Sequence, residues 1–236
     1  MPEIILYTYF RSSCSARLRI ALNLKSLKYT PVYINLLKNE QHSPENLARN
    51  PSGTVPTLLL LNSPDSASPE EEGGRSAGTV KITQSLPALE YLDEAFPDTL
   101  PLLPANPETK ALVRSLAAII ACDVQPVTNL RILKRVEAVG GDRAAWSREL
   151  IEEGLAAYEA VIAVPGVSGL YSVGDEVTVA DVCLVPAVWG AERVGVDVKG
   201  RFPVVAGVVG RLEGLEGVRR AHWGRQGDTP VELRVE

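Results

Sequence analysis

Residues 4–25, IILYTYFRSSCSARLRIALNLK, carry the pattern that decides the fold. The run IILYTY at the start of this segment is short and apolar, as expected of a buried strand. The polar stretch RSS follows it, and the spacing of apolar residues over 18–25 is that of a helix, with Arg17 and Arg19 on its other faces. The segment therefore predicts a strand that leads directly into a helix.

The rest of the first 96 residues continues this alternation. Further strands are predicted at residues 29–35, 55–61 and 80–82, where β-branched and other apolar residues cluster. A short, irregular helix is expected within residues 38–50, and an amphipathic helix from Ser85 to near Pro97. The order β-α-β-α-β-β-α is compatible with a mixed sheet covered by helices.

Residues 62–78, NSPDSASPEEEGGRSAG, interrupt this pattern between the last two strands. Their content of Pro, Gly, Ser and Glu cannot support a core, so we interpret them as a disordered hairpin insertion. A partner-binding loop is the functional alternative.

The second half of the chain is predicted to be helical throughout. Four prolines between residues 97 and 107 indicate a rigid linker. Helical patterns follow, with Pro126 expected to kink the first of them, over 109–139, 144–164, 179–194, 203–213 and around Val218. We predict an α/β domain over 1–96, a Pro-rich linker over 97–107 and an all-α domain over 108–236.

One helix start shows its own capping signal. In GDEVTVAD, Thr178 is placed at the N-cap and Asp181 three residues later, so each side chain can bond the backbone N–H of the other. Val177 and Val182 stand at the positions of a hydrophobic staple. We therefore interpret Asp181 as a capping residue rather than as a catalytic acid.

Composition excludes several classes of protein. The 236 residues include 24 Lys and Arg against 29 Asp and Glu, a net charge of −5, with 45% hydrophobic and 22% charged residues. These fractions are ordinary for a soluble globular protein, and the acidic balance disfavours nucleic-acid binding. The sequence contains no run of about 18 apolar residues, so no membrane span is predicted.

The cysteines and the N-terminus favour a cytoplasmic location. Cys14, Cys122 and Cys183 are far apart and odd in number, which disfavours a disulfide framework and fits a reducing compartment. The N-terminal residues lack the basic start and cleavage site of a signal peptide. Cys122 and Cys183 stand in apolar helical runs, where we expect core positions.

The junction of the first strand and first helix carries the most chemistry. Ser12, Ser13, Cys14 and Ser15 stand where backbone N–H groups and the positive end of the helix dipole are exposed, so this site stabilises an anion. The simpler alternative is that Ser12 or Ser13 only caps the helix.

Two further segments hold candidate binding groups. Gln84 and Ser85 open the helix after the fourth strand, where they can cap it or bind a carboxylate. The peptide bond between Val55 and Pro56 precedes a strand, which predicts either a cis bond or an ordinary trans bond at a sheet edge.

Together these features resemble a thioredoxin-like domain followed by a helical domain, the glutathione transferase architecture. The match is specific in segments that cover nearly the whole chain apart from residues 62–78: RSSCSARLRIALNLK, NPSGTVPTL, ITQSLPALEYLDE, QPVTNLRILK, GDEVTVADVCLVP, AERVGVDV and DTPVEL. These segments are similar to those of the zeta-class glutathione transferases. The SSC motif with its following arginine discriminates most, whereas VP and GDxxTxAD mark only the broad superfamily.

The resemblance implies glutathione-dependent cis-trans isomerisation of maleylacetoacetate to fumarylacetoacetate, a step of phenylalanine and tyrosine catabolism. Glutathione serves as the cofactor, through reversible addition of its thiolate to the double bond. A homodimer is expected, with glutathione and a small carboxylate substrate as the ligands. The alternatives are a transferase that conjugates other small electrophiles such as α-halo acids, and a non-enzymatic binding module.

The resemblance also implies roles for individual residues. It places the electrophile between the two domains, with Arg193 on the acceptor-substrate side. Val55 offers backbone hydrogen bonds to the cysteinyl unit, and either Gln41 or His42 matches the family's loop glutamine. The glutathione-binding set comprises Ser12, Ser13, Cys14, Ser15, Arg17, Gln41, His42, Val55, Gln84, Ser85, Gln125, Asn129 and Arg131. Ala16 and Arg131 depart from the family pattern, which more often has an aromatic and a small polar residue there.

Activation of the thiol needs no basic residue. Lowering a thiol pKa of about 8.5 by about two units takes about 2.7 kcal/mol of preferential anion stabilisation. A helix N-terminus supplies about 0.3–1 kcal/mol, and a hydroxyl hydrogen bond to a charged group about 1.5–3 kcal/mol. Ser12 or Ser13 is therefore the expected donor, and Cys14 is the competing nucleophile.

The remaining ionisable candidates are two arginines that can bind the substrate and two histidines. Arg17 and Arg193 are expected to hold the substrate carboxylates, with a surface salt bridge as the alternative for each. His42 and His222 have no cysteine or acid cluster at ligand spacing, so we expect no metal site. His222 is interpreted as part of a solvated helix end.

Overall fold

The structure is a computed structural model that describes residues 2–61 and 78–235. The chain forms two compact units, one made of Met1–Thr99 with Arg220–Glu236 and one of Leu100–Arg219. The sequence predicted a helical domain over residues 108–236. The contacts of residues 220–236 instead place this segment in the first unit. The predicted insertion lies outside the described residues, except for Gly78.

The first unit contains the predicted alternation of strands and helices. A 3₁₀ turn at Glu40–His42 accompanies the short helix within residues 38–50. The elements are β1 Glu3–Thr8, α1 Ser13–Leu24, β2 Thr30–Tyr33, α2 Pro44–Arg49, β3 Thr57–Leu61, β4 Thr79–Ile82 and α3 Ser85–Ala95.

The four strands form the predicted mixed sheet in the order β2-β1-β3-β4. β1 is parallel to β2 and antiparallel to β3, which is antiparallel to β4. The register pairs Thr8 with Tyr33, Tyr7 with Thr57, and Leu58 with Ile82. The end of β1, the end of β2, the start of β3 and the end of β4 therefore meet at one end of the sheet.

The core of this unit lies against the sheet. Alternate residues of β1 and β3 are buried, as are the apolar faces of α1 and α3, which pack against each other. The fully buried apolar side chains include Leu6, Leu18, Ile20, Leu22, Leu58, Leu60, Leu89 and Leu92.

The C-terminal segment joins the first unit by specific contacts. Trp223 and Leu233 pack against a buried cluster that includes Tyr9 and Phe10. Arg19 of α1 donates through Nε to the carbonyl oxygen of Ala221 at 3.2 Å. These contacts are the physical reason why residues 220–236 do not belong to the helical domain.

The second unit consists of helices. It contains α4 Pro107–Ala118, a π-helical segment Ile119–Val124, α5 Gln125–Thr128, α6 Leu130–Ala138, α7 Arg143–Ile162, α8 Val179–Arg193, α9 Val198–Arg201 and α10 Pro203–Glu213. The last helix, α11 Glu216–Ala221, begins in this unit, and its final two residues belong to the first unit. The boundaries of α7, α8 and α10 agree with the predicted helices to within two residues.

The predicted long helix over residues 109–139 is divided rather than continuous. The π-helical segment ends next to Pro126, which cannot donate a backbone hydrogen bond. Asn129 has an extended backbone and accepts from the N–H of Ile132 at 3.1 Å, so it begins α6 as an N-cap.

The predicted capping box at the start of α8 is confirmed. Asp181 accepts from the N–H and the hydroxyl of Thr178 through Oδ2, at 2.8 and 2.9 Å, and from the N–H of Ser172 through Oδ1 at 2.9 Å. Burial raises the pKa of the Asp181 carboxyl, while these hydrogen bonds act to lower it.

The cysteine prediction is half right. Cys183 is buried in α8, but Cys122 is exposed. Within the π-helical segment the buried residues are Ile120 and Val124, and Cys122 stands between them on the opposite side. All three cysteines are free thiols.

The helical run Pro107–Ala138 meets the length and hydropathy criteria of a membrane span, with a mean hydropathy of 1.4 over its most apolar window. No such segment was predicted from the sequence, which contains no run of about 18 apolar residues. A single helix of this kind is weak support for a membrane span, since core helices of soluble proteins meet the same criteria.

Candidate functional site

Ser12 is the N-cap of α1, at the helix end where the sequence predicts an anion site. The Ser12 hydroxyl oxygen accepts from the N–H of Ser15 at 3.1 Å. Ser12, Ser13 and Cys14 are half-buried, so the first turn of the helix is open to a ligand. A helix N-terminus of this length favours negative charge at its exposed N–H groups.

Arg17 occupies an unusual position for a charged residue. It is 1% exposed and donates through Nη1 to the hydroxyl oxygen of Ser85 at 3.1 Å. Its Nε and Nη2 atoms are also buried and have no hydrogen-bond partner. The sequence-based alternative of a surface salt bridge is therefore wrong for Arg17, which instead links α1 to the first residue of α3.

Other buried polar atoms of the first unit also lack a hydrogen-bond partner. Among the described residues, seven buried side-chain atoms lack a partner: Tyr9 Oη, Ser15 Oγ, Arg17 Nε, Arg17 Nη2, Gln41 Oε1, Thr57 Oγ1 and Asp228 Oδ1. Four of the seven atoms belong to residues that the family resemblance assigns to glutathione binding. Buried polar groups are nearly always paired in native proteins, so this concentration of unpartnered polar atoms is unusual.

The sheet register brings the predicted segments to the same end of the sheet. Residues 12–17 follow β1, Gln41 follows β2, Val55 precedes β3, and Ser85 follows β4. The Val55–Pro56 peptide bond is cis, one of the two predicted forms, and both residues are buried.

Gln84 and Ser85 differ in their surroundings. Gln84 is the N-cap residue of α3, but its side chain makes no cap hydrogen bond and is exposed. The capping alternative is therefore wrong for the Gln84 side chain. Ser85 is buried and its hydroxyl accepts from Arg17.

The structure also separates the two loop candidates. Gln41 is buried and donates through Nε2 to Asn39 Oδ1 at 3.0 Å, which leaves its Oε1 unpartnered. His42 is exposed and packs against Gly53, where a Cβ atom would lie 2.7 Å from His42 Nδ1. Gly53 has φ of +60°, a left-handed backbone conformation that favours glycine.

The other predicted site residues lie in the second unit. Gln125 is the first residue of α5, and Arg131 is exposed on α6. Asn129 uses its side chain to cap α6 and to donate to the carbonyl of Pro126 at 2.7 Å. Arg193 is exposed at the last position of α8.

Two residues that sequence reasoning missed hold the turn before Ser12. Arg19 is fully buried and donates to the carbonyl oxygens of Tyr9 and Phe10, at 3.2 and 3.1 Å, and to Thr8 Oγ1 at 2.9 Å. Asp228 accepts from the N–H of Phe10 at 2.9 Å. Burial lowers the pKa of Arg19 to about 10 and raises that of Asp228.

The sequence around Arg19 contains no local pattern that predicts the burial of its guanidinium group. Asp228 lies 218 residues from its partner Phe10, so no local pattern predicts their hydrogen bond. Within residues 2–61 and 78–235, no group of three or more His, Cys, Asp or Glu could hold a metal ion.

Comparison with family models gives the class of protein. Residues 11–95 match the model of the glutathione S-transferase N-terminal domain, and residues 142–216 match that of the C-terminal domain. The thioredoxin-like sheet and the helical second unit are the fold expected of that class.

Comparison with individual relatives shows which class of glutathione S-transferase the chain belongs to. The chain is 61% identical to maleylacetoacetate isomerase maiA of Aspergillus fumigatus, over 99% of this chain and 96% of that protein. A bacterial maleyl pyruvate isomerase, a zeta-class glutathione S-transferase, superimposes with a TM-score of 0.83 and 36% identity, over 96% of this chain and 100% of that one. The maleylacetoacetate isomerase of Methylobacterium extorquens AM1, solved with bound malonate and glutathione, has a TM-score of 0.82 and 33% identity, over 96% of this chain and 100% of that one. The chain belongs to the zeta class of glutathione S-transferases, the family of the maleylacetoacetate isomerases, as the sequence segments indicated.

Proposed function

We propose that this protein is a maleylacetoacetate isomerase that uses glutathione as its cofactor. It converts maleylacetoacetate to fumarylacetoacetate in phenylalanine and tyrosine breakdown. The observation that carries the proposal is the set of buried, unpartnered polar atoms on Ser15, Arg17 and Gln41. The isomerase relative at 61% identity supports the choice of reaction.

The residues at this end of the sheet fit glutathione. This tripeptide carries two carboxylates and an ammonium group, and its polar atoms need partners along their whole length. The two unpartnered nitrogens of Arg17 suit the carboxylate at the γ-glutamyl end, next to the hydroxyl of Ser85 and the side chain of Gln84. The backbone of Val55 receives the cysteinyl unit, and Gln41 Oε1 accepts a further N–H.

This assignment changes the roles that were predicted for Arg17 and Arg193. Arg17 was expected to clamp the acceptor substrate as well as glutathione. Because its side chain is fully buried and bonded to Ser85, it serves glutathione alone. Arg193, which is exposed, remains the proposed clamp for the substrate carboxylates.

Bound glutathione supplies a thiolate that adds reversibly to the conjugated double bond of the substrate, which permits rotation from cis to trans. The protein must hold this sulfur as an anion. Ser12 is the better donor of the two serines, because its oxygen accepts from the Ser15 N–H. That bond leaves the hydroxyl proton for the sulfur and polarises the O–H group.

The donor and the helix end together reach the required stabilisation. A hydrogen bond to a charged group contributes about 1.5–3 kcal/mol, and a partly buried helix N-terminus up to about 2 kcal/mol. The total meets the roughly 2.7 kcal/mol needed for a two-unit shift of the thiol pKa. Ser13 and Cys14 then line the open first turn, and we expect Cys14→Ala to retain most of the activity.

A comparison of two substrate types tests this proposal. The purified protein is given maleylacetone or maleylacetoacetate in one series and α-halo acids in another, each with and without glutathione. The proposal predicts that isomerisation is fast, saturable in glutathione and at least about tenfold more efficient than conjugation of the halo acids. Efficient conjugation without isomerisation would make the protein a conjugating transferase, and inactivity on both series would favour a binding module.

Arg193→Ala tests the acceptor side separately. Loss of a guanidinium that pairs with a carboxylate should raise the Michaelis constant for the dianionic substrate with little change in glutathione affinity. An unchanged Michaelis constant would remove Arg193 from the site. The cytoplasmic location and the homodimer stay predictions.

A further inference from the structure

The turn formed by residues 9–12 connects β1 to the N-cap of α1. It closes through the N–H of Ser12, which donates to the carbonyl oxygen of Tyr9 at 3.0 Å. The two carbonyl groups of Tyr9 and Phe10 are held by Arg19 from within α1. The N–H of Phe10 donates to Asp228 Oδ2 at 2.9 Å.

Asp228 reaches this turn because the C-terminal segment packs beneath it. Trp223 and Leu233 contact the cluster that contains Phe10. The hydroxyl of Thr229 donates to the carbonyl oxygen of Trp223 at 2.6 Å, and its N–H donates to that of Gln226 at 3.1 Å. These bonds hold the Asp228 carboxylate at a fixed place while its Oδ1 stays buried and unpartnered.

We propose that Asp228 is a positioning residue of the glutathione site, which holds the Phe10 N–H and thereby fixes the turn that presents the Ser12 hydroxyl and the first N–H groups of α1. The inference rests on the proposed function only for the role of Ser12. Arg19 holds the carbonyl groups of Tyr9 and Phe10, and Asp228 holds the N–H of Phe10, so the C-terminal segment contributes a restraint on the turn that leads to Ser12.

The hydrogen bond and the negative charge of Asp228 have opposite effects on the thiol pKa of bound glutathione. Variants that remove one and keep the other therefore test the inference. A carboxylate close to a thiolate raises the pKa of the thiol by repulsion, so removal of the charge alone would lower that pKa. Loss of the hydrogen bond would let the turn move, weaken the Ser12 donor and raise the pKa. Asp228→Asn removes the charge and keeps an acceptor, whereas Asp228→Ala removes both.

The experiment follows the thiolate absorbance of bound glutathione against pH in the full-length protein. Wild type is compared with Asp228→Asn, Asp228→Ala and the control Glu232→Ala, which removes an exposed acid of the same segment. We expect Asp228→Ala to raise the thiol pKa and to lower kcat/KM by about tenfold or more, whereas Asp228→Asn and Glu232→Ala should show neither change. Asp228→Glu, which keeps the charge but displaces the acceptor, should resemble Asp228→Ala and replaces it if the alanine variant does not fold.

Amide hydrogen exchange without glutathione gives a readout that does not depend on catalysis. Faster exchange at residues 9–15 in the alanine or glutamate variant, with wild-type exchange in the asparagine variant, supports the positioning role. Exchange at these residues that is equal in all variants overturns it, as does a thiol pKa that is unchanged or lowered in folded Asp228→Ala. A wild-type protein without isomerase turnover would refute the proposed function, while the exchange comparison would still decide the role of Asp228.

Discussion

Arg17 at the start of α1 donates through Nη1 to the hydroxyl oxygen of Ser85 at the start of α3, over 3.1 Å. The two residues are 68 positions apart, and both are buried. The bond uses one of the five N–H donors of the guanidinium, and Nε and Nη2 stay unpaired within the protein. A buried cation with unused donors costs stability unless further partners complete its shell, and we propose that glutathione supplies them for Arg17.

Arg17→Met should therefore separate binding from stability. We expect the free energy of unfolding without glutathione to rise, or to fall by no more than about 1 kcal/mol, because an apolar side chain replaces an incompletely paired charge. Glutathione affinity should fall at least tenfold, since one lost charged hydrogen bond is worth about 1.5–3 kcal/mol. Calorimetric titration and urea unfolding measure the two effects, with Arg219→Met as a surface control. Wild-type affinity in Arg17→Met would contradict the assignment.

Ser12→Gly should remove the thiol donor while preserving the helix start. Glycine is nearly as good an N-cap as serine, so stability should change by only a few tenths of a kcal/mol. The thiol pKa of bound glutathione should rise by at least one unit, as judged from the pH dependence of thiolate absorbance. Ser12→Thr should restore the low pKa. A larger rise in Ser13→Ala than in Ser12→Gly would transfer the donor role to Ser13.

Asp181→Ala should be among the more destabilising single changes in the helical unit. It leaves the N–H and hydroxyl of Thr178 and the N–H of Ser172 without their acceptor in a buried place. We expect a loss of about 2–4 kcal/mol in urea unfolding. Asp197, which caps α9 through one exposed bond at 2.9 Å, provides the comparison, and Asp197→Ala should cost about 1 kcal/mol. Equal losses in the two variants would refute the importance of burial.

His222 should make stability depend on pH. Its Nδ1 accepts from the N–H of Gly224 at 3.1 Å, and burial, followed by Arg225 and Arg19, lowers its pKa below 6.5. A depressed pKa means that this contribution to stability is present above pH 6.5 and is lost as the pH falls through the lower folded value. His222→Asn keeps an acceptor without titrating, so unfolding measured between neutral and mildly acidic pH should show a smaller loss in this variant. Parallel curves for the two proteins would exclude the effect.

The sequence predicted those parts of the fold that depend on local periodicity. The strand-helix junction at residues 4–25, the start of α3 at Ser85 and the capping box of α8 were all placed correctly, because apolar spacing and cap residues act over a few positions. Pro126 marked a disturbance of the first helix, but the separate start of α6 at Asn129 was missed.

The features that were missed depend on contacts between distant residues. Arg19 appeared as a charge on another face of a helix, yet three backbone carbonyls and a threonine hydroxyl satisfy it inside the first unit. The return of residues 220–236 to that unit was missed for the same reason, because no local pattern links Asp228 to Phe10. The family resemblance supplied most of the candidate site, and the structure adds which of its polar atoms are unpartnered.

The most direct test of the account is the ratio of glutathione consumed to product formed during turnover of maleylacetone. Product is followed by absorbance and free thiol by titration in the same reaction, with substrate in large excess over glutathione. The account predicts many product molecules per glutathione and a constant thiol concentration. Thiol that falls in step with substrate, or turnover that continues without glutathione, would contradict it.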